Sequence, residues 1–513
     1  MALFGRGAPD HPMAGIRQAK KLIAELPAYD SIKALDEVIF WLDSIGRTEG
    51  FAVDHRYELI DLLDHAAKGH QRKLAQEYLA TDRQEKFREN KLWNTVFNFW
   101  KQLGDAYSQC VAQFQSGAGG AGAIRNELPA IVARALRARA LQLKWDLLHY
   151  GPVDVRLWGE VGQLYLFAEA KRITTQTIEI YPDGSGQGTV QQEFLKAMML
   201  VVSSTGGLTP LRQEIAERTV AHFGAMFTLQ ARPTPGCNDY FDLSMRTPPA
   251  RMMKGHEHDG MTRFFGAGKA LPALERLIEE IKVTDAVPSR VNLGGMYDSG
   301  LVLSVMQHLA TYWSDKPPAR GSGRRKIATR LTVVHGFREV LRAVEPAADE
   351  ALELERAAGP ESWIVENVSE GGFGAVIPQV KGDWIKVGTI LAVRAEASPF
   401  WAAAIILRIA RDEYQLRHVG IRMLAQAVIP VRLFPAGSAS LANVMGEGEP
   451  GVLLSTTPDK QGEIALLLRG RSYTPGQGLE MNVRGKHYHL MPRKLVEGGD
   501  DFDWVKFKVM RRA

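Results

Sequence analysis

The chain has 513 residues, 45% of them hydrophobic and 24% charged. These are ordinary values for folded protein, so wholesale disorder is excluded and about three or four domains are expected. The 63 basic and 58 acidic residues leave a net charge of only +5. That surplus is too small for a protein that coats nucleic acid, where phosphate neutralisation dominates binding, although a local basic patch could hold a small anion. The two cysteines, Cys110 and Cys237, exclude a disulfide scaffold and a Cys-rich zinc site and point to a reducing compartment. The stretch MALFGRGAPDHPMAG at the start has no apolar core of signal-peptide length. The longest apolar run, 400–407, is far short of the ~20 residues of a membrane helix. A cytoplasmic protein without membrane insertion is therefore expected.

The first 180 or so residues have helical periodicity. Leu35, Val38, Ile39, Leu42 and Ile45 share one face, with Asp30 placed to cap the helix. Trp93, Val96, Phe97, Trp100, Leu103 and Tyr107 repeat the pattern, as do Leu157, Val161, Leu164, Tyr165 and Ala168. Such stripes usually make helix–helix core. Pro27, Pro129 and Pro152 mark helix boundaries. No fixed-period repeat is present, which leaves a bundle or an irregular solenoid. From about 180 the pattern is mixed. Strands are expected at 176–181, 222–230 and 240–243, and helices at 191–202, 209–223, 270–282 and 299–313.

The segment 315–323 (DKPPARGSG) has the composition of a linker. Beyond it the pattern is β. Short runs rich in Val, Ile and Leu fall at 331–334, 363–366, 374–377, 389–394, 401–409, 418–423 and 428–433. A further set lies at 452–455, 463–468, 479–483, 486–491 and 504–509. Many short strands at close spacing predict a sandwich or small barrel.

Most chemical motifs fail on context. Gly117, Gly119 and Gly122 fit GxGxxG, but a dinucleotide turn needs a preceding strand and a long helix is expected there. Gly266-Ala-Gly-Lys269 lacks the first glycine and the hydroxyl of a phosphate loop. His256 and His258 form an HxH without further ligands of zinc-type spacing, so no metal is expected. His487 and His489 share a strand face. No nucleophile elbow occurs, and no enzyme activity is expected.

Two segments stand out together. The stretch 320–330 carries five cations, Arg320, Arg324, Arg325, Lys326 and Arg330, and no acid; it leads directly into a strand. After the strand at 363–365 comes Asn367-Val-Ser369-Glu-Gly371-Gly372-Phe-Gly374. Its polar side chains can fold back on their own amides, and its glycines permit a tight turn. Arginines facing such a turn suit an anion that carries planar bases. A guanidinium binds phosphate bidentately, stacks on rings and pairs with the N7 and O6 edge of guanine.

These residues resemble the PilZ domain, the bacterial receptor module for cyclic di-GMP. That family pairs an RxxxR segment before the first strand with a later (D/N)xSxxG. Asn367, Ser369 and Gly372 fit the second half, and Phe373-Gly374 and His418-Val-Gly420-Ile-Arg422 continue in the family manner. For the first half, Arg320 to Arg324 fits literally. Lys326 to Arg330 fits with Lys for Arg, and Arg325 to Arg330 is one residue too long. Arg338 to Arg342 fits but follows the first strand in a helical context, within an unusually long insertion at 337–360.

The residue patterns, with this resemblance for the barrel, predict a multidomain α+β chain. A mostly helical region at 1–314 (one or two subdomains, break near 180–205) and the linker at 315–323 precede a PilZ-like six-stranded β-barrel at 324–435. A β-rich segment at 436–513 follows. The resemblance further implies a cyclic di-GMP effector in motility, adhesion, biofilm or secretion, with the helical region contacting an unidentified protein partner and no nucleic acid. The implied ligand residues are Arg320, Arg324, Arg325, Arg330, Asn367, Ser369 and Gly372. The alternative is a nucleotide-independent adaptor with a degenerate barrel.

Overall fold

A computed structural model describes residues 9–81, 85–181, 186–253, 259–318, 325–345, 360–378, 384–396, 398–414, 416–436, 448–455, 457–483, 486–499 and 501–510. Arg320 and Arg324 of the expected site, residues 319–323 of the expected linker, and His256 and His258 lie outside the described residues. The chain forms two compact units, 1–319 and 320–513.

The first unit is helical: α1 (Ile16–Ala24), α2 (Ser31–Arg47), α3 (Val53–Ala80), α4 (Lys86–Gln115), α5 (Leu128–Leu148), α6 (Val155–Lys171), α7 (Val190–Val202), α8 (Pro210–His222), α9 (Ala270–Thr284) and α10 (Ser299–Trp313). Asp30 caps α2 as the spacing predicts, accepting from the Lys33 amide at 3.1 Å. Thr189 and Gln192 form a reciprocal capping box at the start of α7. The aromatic stripes are core: Phe99, Leu103 and Tyr107 of α4 and Leu157, Val161 and Tyr165 of α6 are buried in one apolar cluster that also holds residues of α9 and α10. Helix α5 differs, because it is buried nearly all round, including the charged Arg134, Arg139, Lys144 and Asp146.

Small strands decorate this unit. β1 (Ile178–Glu179) pairs with β2 (Gln187–Gly188), while β3 (Thr228–Gln230), β4 (Asp239–Asp242), β5 (Ala250–Arg251) and β6 (Thr262–Gly266) form a sheet in the order β3-β6-β4-β5. The strand expected over 222–230 is confined to its last three residues, because α8 runs to His222 and a helical turn follows.

The second unit is two closed antiparallel barrels. The first contains β7 (Arg325–His335), β8 (Glu361–Ser369), β9 (Gly372–Ile377), β10 (Ile390–Ala395), β11 (Ala402–Arg411) and β12 (Arg417–Ala425), in the order β10-β11-β12-β9-β8-β7. The second contains β13 (Ile429–Pro435), β14 (Glu449–Leu453), β15 (Glu463–Arg469), β16 (Leu479–Val483), β17 (Lys486–Gly498) and β18 (Phe502–Met510), in the order β13-β14-β15-β18-β17-β16. One expected boundary moves. The strand at 428–433, joined on sequence to the first barrel, pairs with β14 and β16 and so opens the second. Six strands already close the first barrel, and the chain needs only three residues, 426–428, to pass between them.

A helix, α11 (Phe337–Val344), begins the insertion that follows β7 and packs between the barrels. Phe337 and Val340 meet Ile390, Ala392, Ala403 and Ile405 of the first barrel and Val452, Leu454, Leu467 and Phe502 of the second in one buried cluster. Helix α11 has no capping side chain of its own. Asp501, from the second barrel, accepts the Phe337 amide at 2.5 Å instead. The two barrels therefore share a core and a helix cap. Phe502→Ala should cost about 3–5 kcal/mol and Asp501→Ala about 1 kcal/mol. In urea unfolding of the whole chain, Phe502→Ala should shift near-ultraviolet signals of both barrels together; a shift in one barrel alone would show that the cluster does not couple them.

Candidate functional site

Strands β7, β8, β9, β12 and β11 lie side by side in the first barrel, and their register decides which outward side chains meet. Alternating burial turns Trp363 and Val365 of β8 inward and leaves Ser362, Ile364 and Glu366 outside. A bulge then interrupts both ladders: Glu366 is extra between β8 and β9, and on β7 the two residues Ile327 and Ala328 face that single Glu366. The bulges place Lys326 opposite Asn367, and Arg325 opposite Val368. The cross-strand row continues from Asn367 to Gly374 of β9, to Gly420 of β12 and to Arg408 of β11.

The two glycines form the floor of this row. A Cβ at Gly374 would lie 2.9 Å from the Asn367 amide group, and one at Gly420 would lie 2.6 Å from the Arg408 side chain. Asn367 and Arg408 thus lean over bare backbone from opposite sides, which a larger residue at either floor position would block. Gly372 is required for another reason. Its Cβ would fall 1.9 Å from the Ile421 carbonyl oxygen of the neighbouring strand. Ser369 donates to the Gly372 carbonyl at 3.0 Å and closes the β8–β9 turn. The turn and the basic strand are therefore adjacent.

Arg325, Lys326 and Arg330 are exposed, and none of them forms an ion pair among the described residues. Arg330 stands opposite Ile364, itself 38% exposed. Asn367 Oδ1 is buried without a hydrogen-bond partner among the described residues. Leaving such an acceptor unsatisfied costs about 1–3 kcal/mol. Beside it, the bulged Glu366 is held by His418, whose Nδ1 lies 3.2 Å from Glu366 and whose Nε2 lies 3.0 Å from Asp412. The hydrogen bond to Asp412, with that to Glu366 and their charges, raises the His418 pKa above its ordinary 6.5. The same pairing, with the Leu416 and Tyr414 amides, lowers that of Asp412.

Of the expected ligand residues, Arg325, Arg330, Asn367, Ser369 and Gly372 all lie on β7, β8 and β9, around one hairpin and its neighbouring strand. Arg338 lies on α11, beyond the other end of β7, and Arg342 pairs with Glu339 on that helix. The sequence reading left Lys326 and Arg408 out of the site. Lys326 has its signal in the spacing to Arg330, but Arg408 joins only through the pairing of β11 with β12.

Residues 17–234 of the chain match the family described as "Cyclic-di-GMP receptor FimW, N-terminal domain". This stretch runs from α1 to just past β3 and ends before the barrels. No curated protein matches the chain.

The His418 pair generates a pH prediction. A raised histidine pKa gives stability that is full below about 6.5 and is lost as pH rises through the folded value. A lowered carboxylate pKa gives stability lost as pH falls through its folded value. The clamp should therefore contribute between the depressed Asp412 value and the raised His418 value. Proton NMR should show His418 titrating above 6.5, and Asp412→Asn should move it down. A His418 value at or below 6.5 in the native chain would show that the carboxylates do not hold it.

Proposed function

We propose that the chain is a cyclic di-GMP receptor whose nucleotide site is the outer face of the first barrel, around Lys326, Asn367, the Gly374 and Gly420 floor, and Arg408. Arg330, whose cross-strand partner Ile364 faces outward, extends the cationic side. One observation carries the reading: the register that sets the basic strand against Asn367 over a glycine floor. The floor admits a flat base onto backbone. The guanidinium groups supply forks for phosphate and for the N7 and O6 edge of guanine. The buried Asn367 oxygen accepts from a base N–H. The match of residues 17–234 to the N-terminal domain of a cyclic di-GMP receptor supports the same ligand, from a different part of the chain.

In this reading the protein binds and reports the nucleotide and does not turn it over. The barrel corresponds to a PilZ domain, the helical unit contacts a protein partner, and the protein works in the cytoplasm of a bacterium. Binding orders the basic strand end, and its charge-assisted contacts must exceed the entropy lost. A nucleotide-independent adaptor is the second reading. The observation that favours it is the Lys at 326, which lacks the fork of an Arg.

Calorimetric titration of cyclic di-GMP distinguishes the two. Arg330→Ala and Arg408→Ala should each weaken binding about tenfold or more, since charged hydrogen bonds contribute ~1.5–3 kcal/mol, and Asn367→Ala by roughly two- to tenfold, since its bond to a base N–H is neutral and contributes ~0.5–1.5 kcal/mol. Arg338→Ala should leave it unchanged. No heat with the native chain supports the adaptor, and sensitivity at Arg338 without sensitivity at Arg330 places the site elsewhere.

A further inference from the structure

The helical unit contains a feature that the barrel reading does not use. Helices α3, α5, α7 and α8, with part of α4, Ile180 and Tyr181, Gly186 to Gly188, and residues between Asn292 and Tyr297, line a cleft of about 1280 Å³. It exceeds the ~300–1000 Å³ typical of small-molecule sites, so a nucleotide fits with room for solvent.

Helical spacing gathers charge on its walls. Lys68 and Arg72 lie one turn apart on α3, and Arg137 and Lys144 share a face of α5; Lys196 comes from α7 and Arg218 from α8. Among the described residues, these six cations share the walls with four carboxylates, Asp64, Glu193, Glu214 and Glu217. The glutamates are engaged. Lys144 lies 2.6 Å from Glu214 and 2.8 Å from Glu217, Lys196 lies 2.7 Å and Arg137 3.5 Å from Glu193, and Arg218 lies 2.9 Å from Glu214. Asp64 accepts the Tyr107 and Tyr181 hydroxyls at 2.8 and 3.0 Å, and burial pushes its pKa up, toward the neutral form. Around the Tyr181 ring, Lys68 sits 3.8 Å and Arg137 5.4 Å from the centroid. Arg72 forms no ion pair among the described residues.

A second observation is independent of charge. Trp100 lines the cleft, is 6% exposed, and has no hydrogen-bond partner for its Nε1 among the described residues. An indole N–H can only donate. The Arg72 guanidinium at the rim and the unanswered Trp100 donor both call for an acceptor-rich anion. Burying this many charges costs more than apolar packing would, so a wall built this way is better suited to a ligand than to stability alone.

We propose that this cleft binds a phosphate-bearing small molecule of nucleotide size, held by Lys68 and Arg72 at its outer wall and by Arg137 and Trp100 deeper in. The site is separate from the barrel and does not depend on the barrel reading.

The test is calorimetry on the full chain at low salt, about 50 mM, where charge attraction is least screened, with pyrophosphate and GMP as probes. At least one should bind saturably. The exposed-side double variant Lys68→Glu/Arg72→Glu should weaken it by about tenfold or more, Trp100→Phe should weaken it without charge change, and Asn367→Ala should leave it intact. Circular dichroism melting checks that the variants fold, and Arg72→Ala alone serves if the double variant does not. Absence of saturable binding for both probes, or binding indifferent to Arg72 and Trp100, overturns the proposal. A cyclic di-GMP titration on the same variants separates the two readings. Loss in the cleft variants with retention in Asn367→Ala supports the cleft and overturns the barrel as the nucleotide site. Loss in Asn367→Ala alone leaves each site with its own ligand.

Discussion

The pairing of β7 with β8 is the constraint on which the candidate site depends. A β-strand reverses its faces at every residue, so a one-residue change of register would turn Asn367 and its basic neighbours to opposite sides. The bulges at Glu366 and at Ile327 and Ala328 absorb the mismatch, leaving Lys326 and Asn367 opposed on the outer surface. The glycines on β9 and β12 then keep that surface low enough for a flat group. Gly372 does different work, admitting the Ile421 carbonyl so that β9 and β12 can approach. Site geometry and barrel closure thus rest on the same few backbone positions.

The second barrel buttresses the first from another direction. Asp501 caps α11, and Phe502 fills the seam beneath it, while Arg422 of β12 pairs with Glu497 at 2.9 Å and lies over the Trp504 ring. β12 is also the strand that carries His418 and Gly420. One continuous strand thus carries both a seam contact and residues of the site. The helical unit follows a different economy. Its central helix α5 keeps Arg134, Arg139 and Lys144 buried, each within reach of a carboxylate, where an ordinary bundle would place apolar side chains.

Much of this was legible in the residues. Helices with one apolar face, such as α2, α4 and α10, were readable because a stripe at helical spacing has to be buried. The strands of both barrels were readable as short β-branched runs. Helix α5 was not, because a helix buried all round has no stripe and its charges imitate a surface. The boundary between the barrels was misplaced because 429–435 carries the same local pattern as the strands before it. Only partner choice, a long-range property, assigns it to the second barrel. In the site, the Asn367 turn and the basic run were visible as local composition. Arg408 and the shared glycine floor were not, because they meet Asn367 across strands distant in sequence.

The central claim is that cyclic di-GMP rests on the outer face of the first barrel. Amide hydrogen exchange of the full chain, with and without saturating nucleotide, tests it most directly, because it reports position without any substitution. The account predicts slowed exchange in 325–330 and 366–374, with the amides of α3, α5 and α7 unchanged. Protection confined to those helices, with the β7–β9 segments unaffected, would contradict it.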